Sequence, residues 1–226
     1  VIVGWDDSYS KDNFNTDLEG DGAFICQNSW GDNFGENGFF YISYYDTNIG
    51  THNVVYTDIE NTDNYDHIYQ SDLCGWVGQL GYNKDSIYGA NVFTAEGNET
   101  LKAASFYATG KDSQYELYVV RQFEDETSLE KMIPVASGKL GNAGYYTVDF
   151  NQGIEVDAGE RYAVVLYIIT PGSVHPMAIE YAADEATENV DLDDGESYIS
   201  ANGSKWVSVD TVEKSNLCIK AFSDNR

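Results

Sequence analysis

Short runs of alternating or continuous apolar residues recur along the chain, divided by clusters of glycine, asparagine, aspartate and serine. They predict strands at Val1–Trp5, Ala23–Asn28, Phe39–Tyr45, Asn53–Ile59, Leu101–Ala108, Tyr115–Gln122, Gly144–Phe150, Arg161–Ile169, Met177–Tyr181, Ser197–Ser200 and Leu217–Phe222. Between Tyr115 and Arg121, the residues Tyr115, Leu117, Val119 and Arg121 share one face, the two-residue period of a half-buried strand. The stretch from Tyr162 to Ile169 is continuously apolar, as in a central strand covered on both sides. Helical periodicity is nearly absent, and only Thr127–Met132 has room for a single turn. Short strands with turn signals between them predict a sandwich or barrel rather than βαβ units. No repeat of fixed period is present, which argues against a propeller or solenoid.

The pattern lapses between Thr57 and Asp66, where the chain is polar and acidic, as domain connectors are. We therefore expect two pieces, residues 1–60 and residues 61–226. The run from Asp184 to Glu196 reads as a second acidic loop.

Composition sharpens this picture. Among 226 residues there are 38 Asp and Glu against 12 Lys and Arg, a net charge of −26. Such a surface repels phosphate backbones and anionic headgroups, which excludes nucleic acid and peripheral membrane binding. No stretch approaches the roughly 20 apolar residues of a membrane span. The 18 tyrosines and 10 phenylalanines suit pleated surfaces. The three cysteines, Cys26, Cys74 and Cys218, are far apart and odd in number, and CxxC pairs are absent. Neither a disulfide framework nor a zinc site is expected, and no cofactor or metal is called for.

The most specific local pattern is Gln27-Asn28-Ser29-Trp30-Gly31, then Phe34-Gly35-Glu36-Asn37-Gly38-Phe39-Phe40, with Val1-Ile2-Val3-Gly4-Trp5 upstream. This order resembles the C-terminal end of the catalytic domain of papain-like cysteine peptidases, over about residues 1–45. The resemblance implies that Asn28 orients a catalytic histidine and that Trp30 shields that hydrogen bond from water. Chemistry supports the residue types. A thiolate nucleophile needs an imidazolium partner, and a neutral amide holds that ring without adding charge. The nucleophilic cysteine and the histidine should both precede Asn28. Only Val1 to Gln27 stands there, without a histidine, and Cys26 lies within an apolar strand. Cys74-Gly75-Trp76 comes after Asn28 and reads as a turn; His52, His67 and His175 read as surface or packing residues. The chain is thus expected to be a C-terminal piece of a longer enzyme, with apolar strand faces in residues 1–60 that the upstream half covers.

Later segments carry a second resemblance. Tyr65 to Gln70, Ala90 to Ala95, Glu99 to Tyr107, Ala143 to Asp149, Ala158 to Val165 and Asn216 to Phe222 look in this order like the lectin-like β-sandwich found behind some bacterial and archaeal papain-like peptidases. The fold class implied is mainly β: papain-like strands followed by a jelly-roll-type sandwich. The resemblance implies an extracellular or cell-wall setting, a polypeptide substrate acted on with the upstream half, and a glycan or cell-wall ligand as a second partner class. Trp76, Tyr82, Tyr88 and Trp206 stand in or near glycine-rich loops, as sugar platforms do, although core packing is the plainer reading. Asp191, Asp193, Asp194 and Glu196 cluster as calcium ligands can, although the spacing is not that of an EF-hand and a solvated loop is the plainer reading. The competing reading of the whole is a non-catalytic adhesion module carrying a peptidase remnant. A structural wall protein is the third class.

Overall fold

A computed structural model describes residues 1–51, 54–57, 59–193, 195–209 and 213–226. The chain divides into two units, Val1–Thr57 and Asp58–Arg226.

In the first unit, β1 (Ile2–Asp6), β2 (Ala23–Gln27) and β3 (Phe39–Ser43) form an antiparallel sheet in that order. Val1 extends the β1–β2 ladder: Gln27 N–H donates to its carbonyl at 2.8 Å, and its amino group donates to Gln27 O at 2.7 Å. Aromatic pairs hold the sheet's periphery, with Tyr9 stacked on Tyr41 at 4.2 Å and Phe24 edge-on to Tyr44. Few residues are buried, among them Ala23, Cys26 and Ser43, whereas Val1, Val3, Trp5 and Tyr45 are exposed. The strand expected at Asn53–Ile59 is not found. Asn53 and Asp58 lie outside the described residues, and Val54–Thr57 and Ile59 are exposed and belong to no strand. Their β-branched side chains suit a strand, but no neighbouring strand supplies a ladder.

The second unit holds β4 (His67–Tyr69), β5 (Gly78–Leu80), β6 (Ser86–Thr94), β7 (Glu99–Ala108), β8 (Ser113–Val120), β9 (Ile133–Leu140), β10 (Gly144–Val156), β11 (Arg161–Ile169), β12 (Met177–Glu180), β13 (Ser197–Ser200), β14 (Val207–Ser208), β15 (Asn216–Leu217) and β16 (Ile219–Asn225). They build a six-stranded sheet, β14-β13-β6-β11-β8-β9, a four-stranded sheet, β10-β7-β16-β4, and a small sheet, β15-β12-β5. The core lies between them. Leu101, Phe106 and Ile219 from the four-stranded sheet meet Ile87, Leu117, Val164, Leu166 and Ile168 from the six-stranded sheet, with Met177 and Leu217 from the small one. The continuously apolar strand, β11, is indeed central, between β6 and β8. The single predicted turn is a 3-10 turn at Glu126–Glu130, capped by Asp125.

The strand expected at Leu217–Phe222 is instead two. The chain changes sheets at Cys218, whose N–H donates to Ala178 O at 3.1 Å. Two glycine-and-amide positions explain why β6 was not predicted. A Cβ on Gly89 would stand 2.6 Å from Met177 Cε and 3.0 Å from Leu217 Cδ1, so close approach of the small sheet requires glycine. Asn91, buried, donates to Leu217 O at 2.9 Å and Ile219 O at 2.8 Å, and accepts from Ser197 Oγ at 2.7 Å. One polar side chain thus ties strands of all three sheets, at a position where alternation predicts an apolar residue.

The second polar tie is Glu99, fully buried at the start of β7. Burial pushes its carboxyl up, but hydrogen bonds from Ser223, Tyr69 and Gly97, with His67 nearby, outweigh this and hold it below the usual carboxylate range. His67 shifts the other way. Asn225 Nδ2 is fixed on Asp66 at 3.0 Å, so its Oδ1 faces His67 Nε2 at 2.9 Å and accepts from it. That hydrogen bond, assisted by Glu99, Glu96 and Asp66 against burial, raises the His67 pKa. The folded state then holds the His67 proton more tightly than the unfolded chain does. Its contribution is full below about pH 6.5 and is lost as pH rises through the raised folded value. Glu99 contributes fully above about pH 4.3 and loses this as pH falls through its lowered folded value. Urea unfolding is therefore expected to give higher stability at pH 5.5 than at pH 8, with His67→Gln removing most of the difference. An equal slope in the variant would contradict the assignment to His67.

Candidate functional site

Asn28 directly follows β2, and its N–H donates to Gly38 O at 2.9 Å, closing the mouth of the β2–β3 hairpin. Its side chain is held from both ends. The Trp30 N–H donates to Oδ1 at 2.7 Å, and Nδ2 donates to Phe34 O at 3.4 Å. The same Phe34 carbonyl accepts from Gly38 N–H at 3.0 Å. A carbonyl oxygen has two lone pairs, so Oδ1 can accept a second donor while keeping Trp30. The amide is only partly buried, which leaves that direction open.

The loop that presents Asn28 depends on left-handed backbone. Gly35 has φ +66°, and a Cβ there would overlap the Phe39 carbonyl oxygen. Next to it, Glu36 and Phe39 exchange backbone hydrogen bonds at 2.8 and 3.1 Å. This places Phe34 under the indole of Trp30, edge-on at 5.2 Å, with Phe40 edge-on beneath at 5.7 Å. Trp30 is 75% exposed, so the indole roofs the loop with one surface and offers the other outward. Phe34 and Gly35 act as positioning residues that the sequence does not mark as such. The signal was present in Phe34-Gly35 within the motif, but the carbonyl's role depends on coordinates.

No thiol in the chain is prepared as a nucleophile. Burial pushes the Cys26 thiol up, within β2. Burial and the Glu180 carboxylate raise Cys74, and burial with Asp72 and Glu180 nearby raises Cys218 well beyond the ordinary range. A catalytic thiolate needs the opposite shift. His67 is committed to Asn225, His175 is exposed in a loop, and His52 lies outside the described residues.

The other candidates separate as follows. Trp76 packs on Tyr107 and Tyr107 on Tyr145, over the four-stranded sheet. Tyr82 packs against the core, and Trp206 stands edge-on to Tyr88. Within the acidic loop, Asp194 lies outside the described residues, Asp191 accepts from the Asp193 N–H at 3.0 Å, and Glu196 is engaged by Arg161 and Tyr198. Among the described residues, no group of three or more His, Cys, Asp or Glu side chains is disposed to hold a metal ion. No helix among them is long and apolar enough to cross a membrane.

Three antiparallel strands with a braced Asn-Ser-Trp-Gly loop between the second and third, followed by a layered β-sandwich, define a chain that joins part of a papain-like fold to an accessory β domain. The chain belongs to the lectin-like domain family, whose model matches residues 68–223. Residues 1–59 match the papain family cysteine protease model. Among solved structures, the chain is 27% identical to a clostridial cysteine protease, Cwp84, after propeptide cleavage, with a TM-score of 0.75 over 98% of this chain and 56% of that one. It is 26% identical, with a TM-score of 0.75, to the cysteine protease and lectin-like domains of Cwp84, described as a surface layer associated protein of Clostridium difficile; 98% of this chain and 50% of that one are covered. The chain thus spans about half the length of these structures. A search among curated proteins gives no match.

Proposed function

We propose that this chain supplies the C-terminal strands and the orienting asparagine of a papain-like cysteine endopeptidase, together with its accessory β-sandwich. Residues 1–60 belong to the catalytic domain and residues 61–226 to the accessory domain. The observation that carries this reading is the brace on Asn28, whose Oδ1 keeps an open lone pair while Trp30 N–H and Phe34 O fix the amide.

In this mechanism a thiolate attacks the scissile carbonyl, an acyl-thioester forms, and the amine leaves with a proton from the imidazolium. Asn28 Oδ1 accepts from the imidazole N–H and favours its charged form. Trp30 covers that bond and limits competition from water. The exposed apolar side chains of Val1, Val3 and Trp5 support burial of this face beneath the rest of the catalytic domain. A setting outside the cell, at the wall, is supported by the surface-layer association of the similar protease and by the strongly acidic surface. The sandwich serves as a glycan- or wall-targeting element.

The direct test is the coding sequence upstream of Val1. An open frame with a cysteine at a helix start and a histidine shortly before Val1 is expected; a stop codon followed by a fresh start would overturn the reading. In the enzyme carrying that segment, Asn28→Ala is expected to lower kcat about 10- to 100-fold, the worth of one hydrogen bond to a charged group. Loss of the bond also disfavours the imidazolium, so the alkaline limb of the pH–rate profile should move to lower pH. An unmoved limb would make Asn28 merely structural.

A further inference from the structure

The outer face of the six-stranded sheet carries a row of side chains in cross-strand register. Ser200 pairs with Tyr88, Tyr88 with Tyr167, Tyr167 with Glu116 and Glu116 with Ser137, across β13, β6, β11, β8 and β9. Tyr88 and Tyr167 stack at 4.2 Å. The next row pairs Ile169 with Gln114 and Gln114 with Lys139. Between the rows lies an open cleft of about 260 Å³, lined by Gln114, Glu116, Ser137, Lys139, Tyr167 and Ile169. On the other side Tyr118 donates to one oxygen of Glu116 and fixes the carboxylate.

We infer that this cleft binds a neutral pyranose glycan, with Tyr167 under a sugar face and Glu116, Gln114 and Lys139 on its hydroxyl groups. The inference rests on the accessory-domain reading above and deepens it. Three features select this ligand class. An aromatic ring beside an isoleucine offers an apolar surface to the C–H face of a sugar. A carboxylate, an amide, an ammonium and a hydroxyl together supply both acceptors and donors, as hydroxyl groups require. The net charge of −26 disfavours polyanionic polymers.

A peptide fits less well. Peptides that bind sheets add to an edge through main-chain hydrogen bonds. Here β8 and β11 are interior, and their backbones are already paired on both sides. Over β8 and β11 only side chains are offered, on an open face, with the nearby sheet edge confined to β9, which suits a polymer laid across the strands. The glycine-loop aromatics do not make the cleft: of Trp76, Tyr82, Tyr88 and Trp206, only Tyr88 reaches this row, as a backing for Tyr167.

Titration calorimetry of the whole chain with hexasaccharides of glucose and of N-acetylglucosamine tests this, with heparin as the polyanionic control. At least one neutral hexasaccharide should bind and heparin should not. Tyr167→Ala and Glu116→Gln should each weaken binding about tenfold or more, Tyr167→Phe should retain it, and Trp76→Ala on the opposite sheet should leave it unchanged. Unchanged circular dichroism in Glu116→Gln, an isosteric replacement on an exposed side chain, separates lost contact from lost fold. Binding by the parent chain that survives both cleft substitutions, or that Trp76→Ala abolishes, overturns this site while leaving a glycan-binding domain. No binding of either neutral hexasaccharide overturns the site and the targeting role together.

Discussion

Replacing Glu99 with alanine is expected to lower the unfolding free energy of the second unit by about 3–5 kcal/mol, a large share of a typical domain's 5–15 kcal/mol. The carboxylate is fully buried and accepts from Tyr69 OH at 2.8 and 2.9 Å, from Ser223 Oγ at 2.6 Å and from Gly97 N–H at 2.8 Å. These donors come from β4, β16 and the turn before β7, so one side chain fastens both termini of the unit to its middle. Alanine leaves one buried donor, Ser223 Oγ, and two half-buried ones, Tyr69 OH and Gly97 N–H, without this acceptor. A buried orphan costs about 1–3 kcal/mol, and the half-buried pair recover part of their loss where water enters. Tyr69 suffers most. Its hydroxyl oxygen already accepts from the Glu96 N–H at 2.9 Å, so its proton needs an acceptor elsewhere. Its ring also stands edge-on to Tyr162, which is buried against the core. Glu99→Gln keeps one carbonyl acceptor and should cost roughly half as much. Urea unfolding followed by far-UV circular dichroism, whose strand signal comes mostly from this unit, measures both variants. A loss below about 1 kcal/mol for Glu99→Ala would show that the donors find other acceptors.

The second large effect concerns catalysis through a residue that touches no substrate. Gly35→Ala is expected to reduce kcat/KM of the assembled peptidase at least about 10-fold, up to the loss given by Asn28→Ala, since a misplacement of about 1 Å can cost as much as 100-fold. At φ +66° any side chain is strained, and here the Cβ would overlap the Phe39 carbonyl. Relief requires the loop to move, and that loop carries the Phe34 carbonyl that holds Asn28 Nδ2. The indole of Trp30 rests edge-on against the Phe34 ring, so its environment changes as well. In this chain by itself, the expected sign is a shift in tryptophan emission and faster quenching by iodide. Wild-type fluorescence together with wild-type kcat/KM would refute the brace. Trp30→Phe offers a contrast, because it removes the cover while leaving the Phe34 carbonyl in place; it should lower kcat less than Gly35→Ala does.

Much of this molecule is legible in local residue patterns. The mainly β class followed from period-two alternation and the scarcity of helical spacing, because those patterns are local and every residue reports its own face. The run from Tyr162 to Ile169 announced a central strand because both of its faces are covered. The likeness of residues 1–59 to papain-like peptidases was legible through a contiguous motif, since the β2–β3 hairpin is itself local in sequence. What the chain's residues could not announce were features made by distant segments meeting. β6 escaped because Gly89 and Asn91 interrupt its apolar pattern for reasons that lie in Met177, Leu217 and Ile219. The apparent strand at Val54–Thr57 failed for the converse reason: its residues suit a strand, but no partner edge meets it. Glu99 looked like one of 38 acidic residues until folding brought Tyr69 and Ser223 onto it.

Local patterning and residue counts carried the β class, the net charge of −26 and the Asn-Ser-Trp-Gly motif. Which carbonyl braces Asn28, and which tyrosine lines the cleft beside Glu116, follow from how segments pack in the tertiary structure. Cross-strand register brings together residues some fifty positions apart, such as Tyr167 and Glu116, and register is set by the whole sheet rather than by any local run.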